Sequence, residues 1–575
     1  MNATIRFDRR TFARFWRVAR LIFVSRDSRW VVLGLLLLIV TLSLSLSGFN
    51  VLRSYVDRDF MNALAQRDEG RFVSGLTRYA GLFLALVLLA VSYRYAEERL
   101  GLYWRNWLSR HVIDAYLKSG TSYRIGIEHE IDNPDQRIEE DVRAFTTSTL
   151  SFALILFNSG VALVAFVSIL WSISSVLMLG AMGYALVGSV ATYYLGRPLI
   201  GLTFAQLQKD ADYRYKLVNV RDFSESIAFY RGEASERISV KEKLAKAVLN
   251  TRAIIDWNRN LGFLTNGYNY LLAILPTILV SPLYFRGKME LGTVIQAGVA
   301  FGQVLGALSV IVVHFGTLSS LAAVTTRVGT FWDSIERASG PHGPSDQLVE
   351  FEDGPSVAFK GVTLLTPTRK QTIVRNLSVH LGPGDRLLVT GPSGSGKSSL
   401  LRLLGGLWSH GSGVVQRPAA LECMFIPQRP YMPLGTFREQ FLYGTHLERV
   451  DDAELTRAIG LVGLEGTVAR IGDLDREEDW KSLLSVGEQE LFAFARVLIG
   501  RPRFLFLDEA SGAVDVDRRQ AFYEQLQGLG ICYLSTGPRP ALERFHNRVL
   551  ELDGSGGWTL ADLPPPRLLR AASGS

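Results

Sequence analysis

Only two cysteines, Cys423 and Cys532, occur among the 575 residues. Two thiols cannot staple a chain of this length, so a disulfide scaffold is excluded, and we interpret both as core residues. Collagen-like and heptad repeats are absent as well. Charged residues make up only 20% of the chain, whereas hydrophobic residues make up 48%. That much apolar surface can be buried in a packed structure, so an intrinsically disordered chain is also excluded.

Charge is scarcest in the first 340 residues, which contain almost all of the long apolar runs. A bilayer core of about 30 Å is crossed by roughly 20 apolar residues in a helix. The alternative is a large soluble protein with buried helices, but such helices rarely continue past about 18 residues without a charge. The runs therefore predict a transmembrane domain over 1–338 with six spans, near 30–52, 76–96, 148–171, 175–197, 260–285 and 292–314.

Basic residues set the expected orientation in a lipid bilayer. The chain has 62 Lys and Arg against 55 Asp and Glu, a net charge of +7. A membrane protein collects such an excess on its cytoplasmic side, so no nucleic-acid partner is predicted. Arginines alternate with aromatic residues over 6–21, which predicts an N-terminal helix on the membrane surface. The long connections 97–143 and 197–259 contain 7 and 12 Lys and Arg residues and are expected as cytoplasmic helical rods that continue the spans, with both chain termini in the cytoplasm.

A Gly/Pro-rich stretch near residue 340 separates this region from an ordinary soluble α/β sequence. We predict a linker over 339–350, a soluble domain over 351–562 and a disordered tail over 563–575. Inside the soluble domain, alternating hydrophobic residues predict strands over 357–364 and 377–381.

A glycine-rich loop follows the apolar run 387–390 and precedes a helical pattern over 399–408. This strand–loop–helix context is that of a phosphate-binding loop, because glycine lets the backbone approach phosphates closely and the helix start adds a positive dipole. We expect Lys397 to reach the β- and γ-phosphates of ATP and the Ser398 hydroxyl to bind Mg²⁺. The residues predicted to bind nucleotide here are Gly391, Pro392, Ser393, Gly394, Ser395, Gly396, Lys397, Ser398 and Ser399.

Two acids, Asp508 and Glu509, end a second buried apolar run that begins at Phe504. Any strand may end in acids, so this pattern alone is a weak signal, but at about 110 residues after a phosphate loop it is a strong one. We expect Asp508 to hold Mg²⁺ through water and Glu509 to polarise the attacking water.

A small-residue turn, Ser485, Val486, Gly487 and Glu488, lies just before a helical pattern over 490–499. A helix start of this kind is a second anion site, and a monomer has no use for a second phosphate site. Two subunits packed head to tail would use it, each covering the γ-phosphate bound by the other. The alternative is a helix N-cap formed by Ser485 with no role in nucleotide binding.

The motifs and their order along the chain resemble those of the ATP-binding cassette (ABC) transporters, over nearly the whole chain. They are a Walker A loop at 391–398, a Q-loop at Gln428, a signature at 484–488 and a Walker B strand that ends at 508–509. Six spans and one such domain resemble a half-transporter of the exporter fold, which works as a dimer. The signature form Leu-Ser-Val-Gly-Glu-Gln and the segment 132–138 are similar to those of the SbmA/BacA-like and peroxisomal (subfamily D) group.

The resemblance implies the fold, the cofactors and the partners. The fold is an α-helical membrane domain with six transmembrane helices plus an α/β P-loop nucleotide-binding domain. ATP and Mg²⁺ are the cofactors, Gln428 contributes to metal binding and catalysis, and the partners are a second copy of the chain, the lipid bilayer and a transported solute. The solute of such a transporter is cobalamin or a peptide, or fatty acyl-CoA as in subfamily D. The arginine-rich sequence favours a bacterial inner membrane.

Two departures from the family pattern bear on activity. Pro538 occupies the place of the family's switch histidine, and proline cannot donate a hydrogen bond to a γ-phosphate, so we expect slow hydrolysis. No aromatic residue that could stack on adenine lies near 365–370. A slow, regulatory membrane ATPase is therefore the alternative function. A soluble ABC protein of DNA repair or translation is disfavoured by the six spans.

A few polar residues interrupt the apolar runs. Singly, each could bridge neighbouring helices; together they favour a water-filled path for a hydrophilic solute. They are Asn158, Asn266, Asn269, Gln296, Gln303 and His314.

Overall fold

A computed structural model describes residues 9–24, 29–128, 131, 133–339, 348–367, 371–447, 449–510, 512 and 514–564. The chain divides into two compact units, Met1–Ser339 and Gly340–Ser575. Most of the predicted linker and most of the predicted tail lie outside the described residues.

The first unit is entirely helical over its described residues. A turn of π-helix, Arg137–Asp141, lies between α5 and α6. The helices are α1 Arg9–Val24, α2 Arg29–Ala65, α3 Glu69–Leu117, α4 Thr121–Glu128, α5 Pro134–Gln136, α6 Val142–Ile173, α7 Ser175–Asp222, α8 Ser224–Phe229, α9 Glu233–Phe285, α10 Leu291–Leu308, α11 Val310–Val313 and α12 Phe315–Ser339.

Several of these helices are much longer than a bilayer is thick. Helix α3 has 49 residues and α9 has 53. At 1.5 Å per residue these lengths correspond to roughly 75–80 Å, against a hydrocarbon core of about 30 Å. Both helices therefore extend well beyond any span that they contain, as the sequence pattern of the long connections predicts.

Within the part of the chain that the structure describes, five helical stretches are long and apolar enough to cross a membrane: Arg29–Ala65, Glu69–Leu117, Pro134–Ile173, Glu233–Phe285 and Leu291–Leu308. The remaining predicted span, 175–197, falls in α7, whose apolar part is the shorter stretch Ser175–Gly188. The count of six spans stays a prediction. A single extended residue, Ser174, separates α6 from α7 and gives the tight turn between two of the predicted spans.

Helix α1 is amphipathic and packs against α12. Val18, Ala19 and Ile22 are buried in the core of this unit. Phe12 and Trp16 are each 60% exposed and lie four residues apart, on one outer face of the helix. This exposed aromatic face suits the predicted position of the helix on a membrane surface.

Two of the intramembrane polar residues bridge helices. Asn158 of α6 donates a hydrogen bond to the Tyr93 hydroxyl of α3 (2.8 Å) and accepts one from Ser43 of α2. Gln296 of α10 is buried and donates to the Ser54 hydroxyl of α2 (2.9 Å). The prediction that Asn158 and Gln296 line a solute path is therefore wrong in this structure, because their polar groups are used between helices.

The other four polar residues predicted to line the solute path are more accessible than Gln296. Asn266, Asn269 and Gln303 are exposed on the single chain, and His314 is half-buried. These four side chains stay available to a solute or to a second subunit.

The second unit combines three sheets with eight helices among its described residues. Its strands are β1 Glu350–Asp353, β2 Val357–Leu365, β3 Thr372–Leu381, β4 Arg386–Thr390, β5 Gly411–Arg417, β6 Cys423–Ile426, β7 Gly435–Thr436, β8 Glu477–Glu478, β9 Phe504–Asp508, β10 Cys532–Thr536, β11 Arg548–Leu552 and β12 Trp558–Asp562. Its helices are α13 Lys397–Leu404, α14 Phe437–Leu442, α15 Asp452–Val462, α16 Glu465–Ile471, α17 Trp480–Leu483, α18 Val486–Gly500, α19 Val516–Gly528 and α20 Arg539–Leu542.

The central sheet has six strands in the order β12-β11-β4-β10-β9-β6. Its inner strands are parallel, and only β12 runs antiparallel to its neighbour. Strands β4, β9 and β10 are almost continuous runs of buried residues, as expected for parallel strands covered on both faces. A four-stranded sheet, β1-β5-β2-β3, and the small β7-β8 pair complete the unit.

Candidate nucleotide-binding site

Three neighbouring strands bring the predicted nucleotide-binding residues together. Strand β10 lies between β4, which leads into the glycine-rich loop, and β9, which ends at Asp508. All three are parallel, so their carboxyl ends meet at one edge of the sheet. Ligands of open α/β sheets bind at this edge.

The glycine-rich loop is shaped to receive phosphate. Gly396 has a φ of +99°, and a Cβ at this position would lie 2.1 Å from Ile373 Cγ2. The Lys397 ammonium donates to the carbonyl oxygens of Gly391 (3.0 Å) and Pro392 (3.1 Å), so it folds back over its own loop. Ser395 is 3% exposed, and its hydroxyl has no hydrogen-bond partner among the described residues.

The other loop residues differ in exposure, and the helix that follows the loop is shorter than predicted. Ser393 and Gly394 are exposed, whereas Ser399 is buried in the first turn of α13. Helix α13 ends at Leu404 rather than at the predicted residue 408. The next residues form a turn in which Gly406 has a φ of +69°, a backbone conformation that ends a helix.

Two of the three residues predicted to bind Mg²⁺ contact each other. The Ser398 hydroxyl of α13 donates to Asp508 Oδ1 of β9 over 2.8 Å. Mg²⁺ prefers hard oxygen ligands, often one or two protein oxygens completed by water and phosphate. The Ser398–Asp508 pair fits that preference, and Mg²⁺ held there would neutralise charge on the phosphates.

The third predicted metal ligand, Gln428, lies elsewhere in the site. Its side-chain amide donates to Glu509 Oε2 over 3.2 Å. Gln428, Glu509 and Pro538 line one cavity of about 450 Å³, together with Thr536. The predicted catalytic acid, the Q-loop residue and the proline in the histidine's place therefore share a chamber large enough for several waters.

Glu509 is held in an unusual backbone conformation. Its φ of +49° lies in the left-handed region that non-glycine residues rarely adopt. Its backbone N–H donates to the Thr536 hydroxyl at the end of β10 (3.1 Å). Sequence reasoning missed Thr536, since a threonine at the end of a buried strand carries no signal of its own.

The signature forms the start of α18. The helix begins at Val486, not near the predicted residue 490, because Ser485 and Glu488 form a capping box. Glu488 accepts hydrogen bonds from the Ser485 N–H (2.8 Å) and the Thr467 hydroxyl (2.7 Å). Arg470 adds an ion pair with the same carboxylate (2.8 Å). The N-cap alternative for Ser485 thus describes this structure, and the phosphate role of Ser485, Val486 and Gly487 stays a prediction.

These contacts keep Glu488 ionised. Burial acts to raise its pKa, but hydrogen bonds from Thr467 and Ser485 and the charge of Arg470 together hold the pKa of Glu488 below its ordinary value. Ser485 and Val486 are exposed, so the first turn of α18 is open to a partner on one side.

The residues present fit ATP and Mg²⁺. A loop that leaves no room for a side chain at Gly396 and holds the orphaned Ser395 hydroxyl matches a phosphate cradle. An oxygen pair at its end matches a magnesium site.

Comparison with known proteins agrees with this geometry. The family description "ABC transporter transmembrane region 2" matches residues 19–285, and "ABC transporter" matches residues 374–512. An uncharacterised ABC transporter ATP-binding protein of Synechocystis is 40% identical, over 94% of this chain and 82% of the relative. The chain belongs to the ABC transporter family.

Other relatives of this ABC transporter are of subfamily D. The chloroplastic ABC transporter D family member 2 of Arabidopsis thaliana is 35% identical over 94% of this chain and 86% of its own length. The lysosomal cobalamin transporter ABCD4 of Mus musculus is 30% identical over 97% of both chains. The fold is that of a bacterial Atm1-family ABC exporter with ATP bound, with a TM-score of 0.72 and 19% identity over 92% of this chain and 94% of that one.

The chain is therefore an ABC half-transporter of subfamily D type, with fused membrane and ATP-binding parts in one multi-pass polypeptide. An ABC ATP-binding domain of this kind couples ATP hydrolysis to transport.

Proposed function

We propose that two copies of this chain form a homodimer that uses ATP to move a hydrophilic solute, with cobalamin as the first candidate, across a bacterial inner membrane. The observation that carries the proposal is the contact between Ser398 and Asp508 beside Glu509, on a chain whose described residues include five helices long enough to span a bilayer. The six-span domain 1–338 and the ATP-binding domain 351–562 are part of this proposal, as is a cytoplasmic location for both termini.

Support for a homodimer comes from the signature. Ser485 and Val486 are exposed at the first turn of a 15-residue helix, where backbone N–H groups favour an anion. A phosphate loop of a second copy could bring its bound γ-phosphate to this helix start. ATP would then bind the paired state better than the separated state and shift the equilibrium between them.

Support for a hydrophilic solute comes from two directions. ABCD4, named a cobalamin transporter, is similar to this chain over 97% of both lengths. Asn266, Asn269 and Gln303 are polar and exposed within long apolar helices, where polar groups mark solute paths. A peptide or fatty acyl-CoA is the alternative solute.

Pro538 supports slow hydrolysis. It lines the same cavity as Glu509 and Gln428, yet its side chain offers no hydrogen-bond donor or acceptor. Glu509 would act as the catalytic base, with Lys397 on the transferred phosphate. A Pro538→His variant with unchanged turnover would contradict the expectation of slow hydrolysis.

The test is ATP-driven transport in proteoliposomes that contain the full chain. Labelled cobalamin should move only with Mg-ATP, and Glu509→Gln should abolish movement while ATP still binds. A competing peptide and an acyl-CoA serve as the comparison solutes. Hydrolysis that no solute stimulates and that moves none of the three would instead support the regulatory ATPase.

A further inference from the structure

Thr536 occupies a central place in the sheet of the ATP-binding unit. It is the last residue of β10, the strand that separates the phosphate-loop strand β4 from the Walker B strand β9. It pairs with Asp508 on one side and with Val389 on the other. The residue is 1% exposed, so its hydroxyl depends on protein partners.

The Thr536 hydroxyl contacts both acids of the Walker B motif. It donates its proton to Asp508 Oδ1 over 2.8 Å and accepts the Glu509 backbone N–H over 3.1 Å. A hydroxyl has one proton and two acceptor lone pairs, so both contacts can be made at once. Asp508 Oδ1 thereby receives two hydrogen bonds, since the Ser398 hydroxyl donates to the same oxygen.

The hydrogen bond between the Glu509 N–H and the Thr536 hydroxyl restrains the backbone conformation of Glu509. Left-handed backbone is costly for a non-glycine residue and persists only where its surroundings hold it. The hydrogen bond from the Glu509 N–H to Thr536 is such a restraint, and it fixes the point from which the Glu509 side chain enters the cavity.

We propose that Thr536 is a positioning residue for ATP hydrolysis. Its hydroxyl orients the Asp508 carboxylate toward the metal site and fixes the Glu509 backbone. Pro538, two residues later, cannot make such hydrogen bonds, because its side chain has no donor or acceptor. This inference rests on the proposed function of the same site, because it assumes that Asp508 and Glu509 serve hydrolysis.

The experiment compares three variants of the full chain in detergent. Thr536→Val removes the hydroxyl and keeps the shape, and Thr536→Ser keeps the hydroxyl. Ser535→Ala is the matched control, because Ser535 lies on the opposite face of β10 and its hydroxyl is bonded to that of Tyr523 (3.2 Å). Each variant is measured for kcat, for ATP binding with and without Mg²⁺, and for its melting temperature.

We expect Thr536→Val to lower kcat by roughly tenfold to a hundredfold, the size of effect expected for lost hydrogen bonds to charged groups. The Mg²⁺ concentration that half-saturates ATP binding should rise by about tenfold, as for loss of an outer contact to a metal ligand. ATP binding without Mg²⁺ should be unchanged. Thr536→Ser should restore both kcat and the Mg²⁺ dependence, and Ser535→Ala should leave both at the level of the unmodified chain.

Two outcomes would overturn the inference: an unchanged Mg²⁺ dependence in Thr536→Val, or a loss that Thr536→Ser does not restore. The Mg²⁺ dependence of ATP binding decides the matter even if turnover is too slow to measure. Failure of the proposed function gives a different result from failure of this inference. In that case the unmodified chain would bind no ATP, or its ATP hydrolysis would not be abolished by Glu509→Gln.

Discussion

The replacement of Asp141 by asparagine should destabilise the membrane unit strongly. Asp141 is 2% exposed at the end of the π-turn that precedes α6. It accepts from Arg327 of α12 through Nε (2.9 Å) and Nη2 (2.6 Å), and from Arg137 through Nη1 (2.8 Å). One buried carboxylate thus joins two segments that lie 186 residues apart in the sequence.

The expected loss of folding free energy follows from the burial of the Asp141 carboxylate. Removal of one partner of a buried ion pair costs about 3–5 kcal/mol, because the other charge is left uncompensated. Here the Arg327 side chain is 41% exposed and can be rehydrated, which reduces the penalty. We therefore expect Asp141→Asn to cost about 2–3 kcal/mol. The exposed cross-helix pair of Lys243 and Asp212 (3.1 Å) supplies the control, because Asp212→Asn should cost at most about 1 kcal/mol.

The assay is thermal unfolding of the full chain in detergent, with Arg327→Gln and the double variant completing a cycle. A coupling energy of about 1 kcal/mol or more between Asp141 and Arg327 is expected if the ion pair is the source of stability. Equal melting of Asp141→Asn and Asp212→Asn, or a coupling energy near zero, would refute the reasoning.

Two further predictions concern the ATP-binding unit. Gly396→Ala should abolish ATP binding in an equilibrium binding assay, since its Cβ would lie 2.1 Å from Ile373 Cγ2 at a φ of +99°; retained binding would contradict the proposed cradle. Burial lowers the pKa of His546 to about 4, despite the hydrogen bond between its Nδ1 and the Leu542 carbonyl oxygen. Its stabilising contribution is therefore complete above the ordinary pKa of 6.5 and is lost as pH falls toward 4, by about 1 kcal/mol per pH unit. His546→Asn should flatten this part of a melting-temperature profile between pH 7 and 5, and an unaltered slope would exclude His546 as the cause.

Local motifs in the sequence predicted those parts of the site that local chemistry determines. The strand that ends at Asp508 is a continuous buried apolar run, and the glycine-rich loop has a required spacing, so both could be placed without a structure. The start of α18 could have been placed correctly as well, because Ser485 and Glu488 have the spacing of a capping box. Its prediction near residue 490 was wrong because the small residues of the signature were interpreted as a turn.

Contacts across long separations could not be predicted in this way. Asn158 and Ser43 are 115 residues apart, and Gln296 and Ser54 are 242 apart. A polar residue in an apolar helix has the same sequence pattern whether it bonds a neighbouring helix or faces a solute. Only the packing of the helices distinguishes the two roles.

Strand order explains why the hydrogen bonds of Asp508 with Ser398 and Thr536 could not be predicted from the sequence. The phosphate-loop strand and the Walker B strand are recognisable separately, but β10, which follows both in the chain, is inserted between them. Ser398, in the first turn of the helix that follows β4, and Thr536, at the end of β10, both bond Asp508 Oδ1. Two hydrogen bonds occupy the lone pairs of that oxygen and fix the carboxylate plane, so Oδ2 is the oxygen left for water or metal. The fold itself therefore orients the site before any nucleotide binds, which is the preorganisation that phosphoryl transfer requires.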